Sequence, residues 1–265
     1  MTGLNSTHVA VLGLGEAGSL FAAGLAAAGV QVTGWDPKPP ADPEVGRLVA
    51  GSAAEAVGGA DVVLSINAAD VAQRVGSAVA DHLGADALYA DLNTAAPSVK
   101  TQVAASVEHA GAEFVDVALL APVGRQGMRT PAMVSGAGAQ RYARLFTGLG
   151  AEVEVIDGGP GAAATRKLLR SVFMKGLAGV VLETLEAGRA AGCESWVRGQ
   201  LAAELDGADE KLLTRLEEGS RQHAPRRVHE MEAAHDLLRE LEAPSRITLA
   251  TLEWLDQLAA EEKTR

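Results

Sequence analysis

The spacing of three glycines near the amino terminus, Gly13-Leu-Gly15-Glu-Ala-Gly18, constrains this chain more than any other feature. It follows a short apolar run, His8-Val-Ala-Val-Leu12, and opens an alanine-rich stretch of helical character. At a strand-to-helix junction the first glycine permits a tight turn, the second lets the backbone approach a ligand, and the third lets helix and strand pack closely. The helix then offers unpaired N–H groups and the positive end of its dipole to an anion. In a chain with 30 glycines the pattern is weak by itself. Its place at the first such junction, with an acidic residue closing the second strand, gives it weight. Gly13, Leu14, Gly15, Glu16, Ala17 and Gly18 are therefore expected to cradle the pyrophosphate of a dinucleotide cofactor. Asp36, in Gly34-Trp-Asp-Pro-Lys38, is expected to accept hydrogen bonds from ribose hydroxyls and repel a 2′-phosphate, which favours NAD over NADP. Lys38, two residues on, partly offsets that repulsion and keeps NADP open.

Downstream, short Val/Leu-rich runs alternate with alanine-rich helical patterns. Strands are predicted at 8–12, 30–35, 61–66, 87–91, 113–117, 132–135 and 152–156, and helices near 15–28, 69–82, 96–110 and 139–149. That alternation implies parallel strands joined by right-handed crossovers, an α/β, doubly wound (Rossmann) sheet. The segment Asp157-Gly-Gly-Pro-Gly161 reads as a hinge. Beyond it strand signals vanish. A long helix is predicted over 162–191, then helices near 197–205, 209–218, 226–241 and 245–260, the last starting after Pro244. The expected organisation is a dinucleotide-binding domain over 1–160 and an all-α substrate and dimerisation domain over 161–265. The long helix has a broad apolar face, with Leu168, Leu169, Val172, Phe173, Leu177, Val180, Val181 and Leu185. Such a face suits burial on several sides or sharing with a second copy, so a homodimer is expected.

The formal charge of −11 opposes non-specific binding to a nucleic-acid backbone. No stretch approaches the roughly 18 consecutive apolar residues of a membrane span, and the polar start runs straight into a strand rather than a signal-peptide core. A cytoplasmic protein is expected. The single cysteine, Cys193, excludes an intramolecular disulfide and a multi-cysteine metal site, and is read as a small buried apolar residue. His223 and His229 are six apart, without a carboxylate pattern that suggests a metal.

In this context the chain resembles the β-hydroxyacid dehydrogenase superfamily, which includes 6-phosphogluconate and 3-hydroxyisobutyrate dehydrogenases. The resemblance rests on the Gly-Leu-Gly start, Asp91-Leu-Asn-Thr94, Phe114-Val-Asp116 and Lys167 early in the long helix. Lys167-Leu-Leu-Arg-Ser171 with Lys175-Gly176, and Arg221-Gln-His-Ala-Pro-Arg-Arg227 with Glu230-Met231, are similar to a branch carrying a C-terminal domain of unknown function. The resemblance implies transfer of hydride between nicotinamide and an alcohol or carbonyl carbon of a small, anionic substrate, with Lys167 as general acid and base. Such chemistry needs a group to take the hydroxyl proton or return it, and burial lowers a lysine's pKa toward working pH. Asn93 and Thr94 are implied to contact nicotinamide or substrate; the alternative is an ordinary turn capping the next helix. Asn67 occupies a similar strand end and borders the cofactor, or is likewise a turn residue. Lys175, two helical turns past Lys167, is a further candidate for the substrate pocket.

Two departures from the family pattern stand out. The Ser-Gly-Gly loop expected after the fifth strand is replaced by Val-Ala-Leu-Leu-Ala-Pro-Val123, and the asparagine pair after the lysine by Arg170 and Ser171. Arg170 can bind an anion bidentately and Ser171 can hydrogen-bond substrate, but the changes point away from a simple 3-hydroxy acid. Gly124-Arg-Gln-Gly127 offers Arg125 as another anion contact, against plain solvent exposure. The basic cluster Arg221, His223, Arg226, Arg227 and His229 either grips an anion or pairs with glutamates on its own helix face, the second being favoured. Two rival functions are kept open: imine reductase-like reduction of a C=N bond, against which Lys167 counts, and a non-catalytic dinucleotide-binding protein.

Overall fold

A computed structural model describes residues 7–38 and 40–263. Each valine-rich run pairs with its neighbours as a strand: β1 (His8–Leu12), β2 (Gln31–Trp35), β3 (Val62–Ser65), β4 (Leu88–Asp91), β5 (Glu113–Leu119), β6 (Ala132–Ser135) and β7 (Val153–Val155). They form one seven-stranded sheet in the order β2-β1-β3-β4-β5-β6-β7. The order reverses beside β1, the switch point at which sheets of this class leave a crevice at their carboxyl edge.

One pairing departs from the expected parallel arrangement. β5 and β6 run antiparallel, with Asp116 opposite Ser135 and Leu119 opposite Ala132. Residues 120–131, which connect them, hold two short 3-10 turns, Val123–Arg125 and Gly127–Arg129, instead of a crossover helix. Without a helix to carry the chain back across the sheet, the strand returns from the end at which the previous one stopped.

The chain divides into two compact units, Met1–Arg170 and Ser171–Arg265. In the first, side chains alternate between the two faces of the sheet. Helix α1 (Glu16–Ala27) and helix α6 (Ala139–Gly148) bring Phe21, Leu25, Tyr142 and Phe146 onto Val9, Val11, Leu64 and Leu88. On the opposite face lie α3 (Ala53–Val57), α4 (Ala72–Val79) and α5 (Pro97–His109), which pack Val57, Val79, Val103 and Val107 against Leu12, Tyr89 and Phe114. Both faces are covered, as a mainly parallel sheet requires. The one-turn α2 (Pro43–Gly46), capped by Asp42, and α3, capped by Ser52, were not anticipated from the sequence; both are too short to show a periodic pattern.

Helix α7 (Ala162–Ala190) crosses the division between the units. The second unit continues with α8 (Glu194–Asp206), α9 (Glu210–Gln222), α10 (Ala224–Glu240) and α11 (Arg246–Lys263). Ala224, Val228, Leu255 and Ala259 form its buried cluster between α10 and α11. Glu183 of α7 is buried and closes the start of α11, accepting from the backbone N–H groups of Ile247 and Thr248 and from Thr248 Oγ1, each at 2.8 Å. Cys193, expected to be buried, is exposed: it sits at the turn that precedes α8, where no core reaches it. The basic cluster pairs along its own helices, Arg221 with Glu217, Arg226 with Glu230 and His229 with Glu232, while Arg227 donates to Ser220 Oγ. Among the described residues no helix is long and apolar enough to cross a membrane.

Candidate active site

The glycine loop between β1 and α1 is shaped by three different constraints. Gly13 has a φ of +97°, and a Cβ there would overlap the Ile66 carbonyl. A Cβ on Gly18 would overlap the Gly13 carbonyl oxygen. Gly15 differs, since a Cβ there would meet nothing within 4 Å. Packing within the protein thus requires the first and third glycines and leaves open space before the second. Helix α1 starts at that point with Gly15 as its cap residue and no side chain bonded to its first N–H groups. An uncapped helix start facing open space fits a dinucleotide pyrophosphate. Leu14 is buried, while Glu16 is exposed and Ala17 half-buried on the first turn.

Asp36, half-buried just past β2, holds this loop. Its Oδ2 accepts from Leu14 N at 2.7 Å, and its Oδ1 accepts from Lys38 N at 2.8 Å. Each carboxylate oxygen keeps a second lone pair, so the group is both anchored and able to accept from a ribose hydroxyl.

Along the carboxyl edge, the ends of β3 and β4 are tied together by amide side chains. Asn67 N donates to Asn93 Oδ1, and the side-chain amides of Asn67 and Asn93 both donate to Ser65 Oγ, at 2.9 and 3.0 Å. Asn93 is buried, which makes it mainly a strut between strand ends; Asn67 is half-buried and Thr94 exposed. Beneath them Tyr89 is fully buried, and burial pushes its phenol far above the ordinary range, so it stays neutral at working pH.

Lys167 comes to this edge. It is half-buried on the second turn of α7, and its Nζ donates to Thr94 Oγ1 at 3.0 Å. A small pocket is lined by Asn93, Thr94, Asp116, Val117, Ala164 and Lys167, among others. Of the candidates read from the sequence, the structure brings Asn67, Asn93, Thr94 and Lys167 together. Arg170 is exposed at the end of the first unit; Ser171 and Lys175 belong to the second, and Lys175 is exposed. Arg125 is exposed in the β5–β6 connection, beside Gln126, Arg129 and Glu152.

Sequence reasoning missed the charged cluster beneath the pocket. Lys100 of α5 is completely buried between Asp91 and Asp116, with its Nζ 3.1 Å from Asp91 Oδ1 and 3.2 Å from Asp116 Oδ1. A signal for it exists: Lys100 shares the helical stripe of Val103, Ala104 and Val107, where an apolar residue is expected.

Residues 8–156 match the model of the NAD binding domain of 6-phosphogluconate dehydrogenase. The chain belongs to that family. Residues 189–258 match a domain of unknown function, DUF1932. The N-terminal part is thus an NAD-binding, Rossmann-type domain of an oxidoreductase family, and the 6-phosphogluconate dehydrogenase-like resemblance read from the sequence holds. An uncharacterised 28.5 kDa protein of Methanothermus fervidus is 29% identical over 136 residues, half of this chain; the match spans about half (49%) of that relative. Among solved structures, a conserved protein of unknown function, described as structurally similar to 3-hydroxyacid dehydrogenases, is 28% identical with a TM-score of 0.64, over 95% of this chain and 96% of its own. An imine reductase from Myxococcus stipitatus in complex with NADP+ shares the fold at a TM-score of 0.81 and 17% identity, over 96% and 94% of the two chains. A variant of it is in complex with NAD+.

Proposed function

We propose that this member of the 6-phosphogluconate dehydrogenase-like family is an NAD-dependent oxidoreductase acting on the alcohol or carbonyl carbon of a small anionic substrate, with Lys167 as general acid and base. The observation that carries this is the Lys167–Thr94 pair, an amine 3.0 Å from a hydroxyl at the sheet's carboxyl edge. Nicotinamide, when bound, supplies or accepts the hydride. The chain's own residues manage the proton and the orientation. Toward the ketone, neutral Lys167 Nζ takes the substrate hydroxyl proton; toward the alcohol, its ammonium returns one to the carbonyl oxygen. Thr94 Oγ1 accepts from Nζ and keeps it at the pocket, while Asn93 fixes the strand end that carries Thr94. Arg170, whose planar guanidinium matches a carboxylate or phosphate, is assigned the substrate's anionic group. The glycine loop takes the pyrophosphate and Asp36 the ribose, with a preference for NAD over NADP because a fixed carboxylate repels a 2′-phosphate. The second unit is assigned self-association into a homodimer.

Lys167→Met should reduce turnover by about 10²–10⁴-fold, the usual contribution of a general acid–base group, and leave NADH binding intact. Turnover is followed at the NADH absorbance over a panel of hydroxy acids and cyclic imines. Undiminished turnover in the variant would remove Lys167 from the chemistry. Activity on imines alone would move the reaction to C=N bonds, and tight NADH binding without turnover on any substrate would leave a nucleotide-binding protein.

A further inference from the structure

The buried charges under the pocket have no part in the chemistry assigned to Lys167, yet they reach both of its supports. Asp91 and Asp116 are register partners on the parallel strands β4 and β5. Their carboxylates therefore lie side by side on one face, buried, where like charges repel strongly. Lys100 fills the space between them, pairing as an ion with Asp91 Oδ1 and Asp116 Oδ1 and donating to the Asp91 carbonyl oxygen at 2.7 Å. An apolar filling would serve stability as well or better, since replacing buried ionic clusters by hydrophobic side chains is often neutral or stabilising. The cluster's outward bonds suggest what it does instead. Asp91 Oδ1 accepts from Asn93 N at 2.9 Å, and Asp116 Oδ2 accepts from Ala164 N at 2.8 Å. Asn93 directly precedes Thr94, and Ala164 lies about one helical turn before Lys167. A single ammonium thus joins the segment presenting the Thr94 hydroxyl to the segment presenting the Lys167 amine.

We infer that Lys100 is a positioning residue: it fixes the spacing between the strand end at Asn93–Thr94 and the first turns of α7, and so keeps the Lys167 amine on Thr94. Its importance for turnover rests on the proposed role of Lys167; the placement of the amine does not.

The test reads placement directly. Lys100→Met alone leaves two buried carboxylates without a counter-charge and is expected to unfold the unit. Two other variants avoid this. One is the neutral cluster Lys100→Met with Asp91→Asn and Asp116→Asn, whose amide oxygens still accept from Asn93 N and Ala164 N. The other is Asp116→Asn alone, which leaves one carboxylate for one ammonium. Each is acylated at fixed pH with trace acetic anhydride, and labelling of Lys167 is read by peptide mass spectrometry against exposed Lys211. Circular dichroism and NADH titration report on folding. Thr94→Val shows the rate of an amine without its hydroxyl partner. In the neutral cluster Lys167 should label faster by roughly fivefold, the factor one lost hydrogen bond is worth, and approach the Thr94→Val rate, with a smaller rise in Asp116→Asn. A folded, NADH-binding variant of either kind that labels Lys167 at the wild-type rate overturns the inference. Labelling needs no turnover, so failure of the acid–base assignment and failure of this one give different results.

Discussion

At the scale of single residues, the glycine loop separates what the fold needs from what a ligand needs. Gly13 and Gly18 face backbone oxygens, which cannot move aside as a flexible side chain can. Gly13→Ala also places a Cβ at a φ of +97°, and should cost at least about 2 kcal/mol in stability. Gly15→Ala meets nothing in the protein and should melt like the wild type. In the proposed binding mode its methyl group would stand in the path of the pyrophosphate, so NADH affinity should fall about tenfold or more, which is about 1.4 kcal/mol. Paired thermal melts and fluorescence titrations check both halves. A Gly15→Ala protein that binds NADH normally would mean that phosphate is held elsewhere. Asp36 anchors Leu14 N, and in the proposed binding mode its remaining lone pairs would accept from the ribose. The loop was legible in the sequence because every residue in it is local to one junction. Lys100 was not, because its partners come from two strands and become neighbours only once the sheet has its register. Its position on an apolar stripe marked it as anomalous and did not reveal what it touches.

At the scale of elements, periodic segments were legible and reversals were not. All seven strands and the longer helices follow from their apolar spacing, whereas the antiparallel return of β6 depends on a connection without any periodic pattern. The cap on α11 is of the same non-local kind, a carboxylate 64 residues before the amide of Ile247. Burial pushes the Glu183 carboxyl upward, but the hydrogen bonds from Ile247, Thr248 and the Thr248 hydroxyl outweigh it and hold the group below the usual range. A carboxylate with a folded pKa below its unfolded one contributes stability above the unfolded value, ~4.3, and loses it as pH falls through the folded value. Glu183→Gln should therefore cost about 1–2 kcal/mol at neutral pH, since an amide accepts more weakly than a carboxylate. The gap between wild type and variant should narrow below pH ~4. Amide hydrogen exchange at Ile247 and Thr248, compared between the two proteins at each pH, measures the effect where it arises. Equal protection at neutral pH would show that α11 starts there without help from Glu183.

At the scale of the whole molecule, the second unit leaves more apolar surface in water than its core accounts for. Val172, Phe173, Leu182, Trp196 and Trp254 are each between 57% and 72% exposed, while the buried cluster between α10 and α11 is built from one leucine, one valine and two alanines. Burying a large side chain of this kind is worth roughly 1.5–3 kcal/mol, so several together can support an interface of the usual ~800 Å² per partner. The partner proposed for this surface is a second copy, since a two-fold axis would present each patch to itself. Sedimentation equilibrium at micromolar concentration should give twice the 27.2 kDa chain mass. Phe173→Glu with Leu182→Glu places two charges on α7 and should return the mass to that of one chain. NADH titration of the double variant distinguishes lost association from lost folding, because the glycine loop lies wholly in the first unit. A wild-type protein sedimenting as a single chain throughout would leave these side chains without the partner assigned to them, and a double variant that still sedimented at twice the mass would place the interface away from α7.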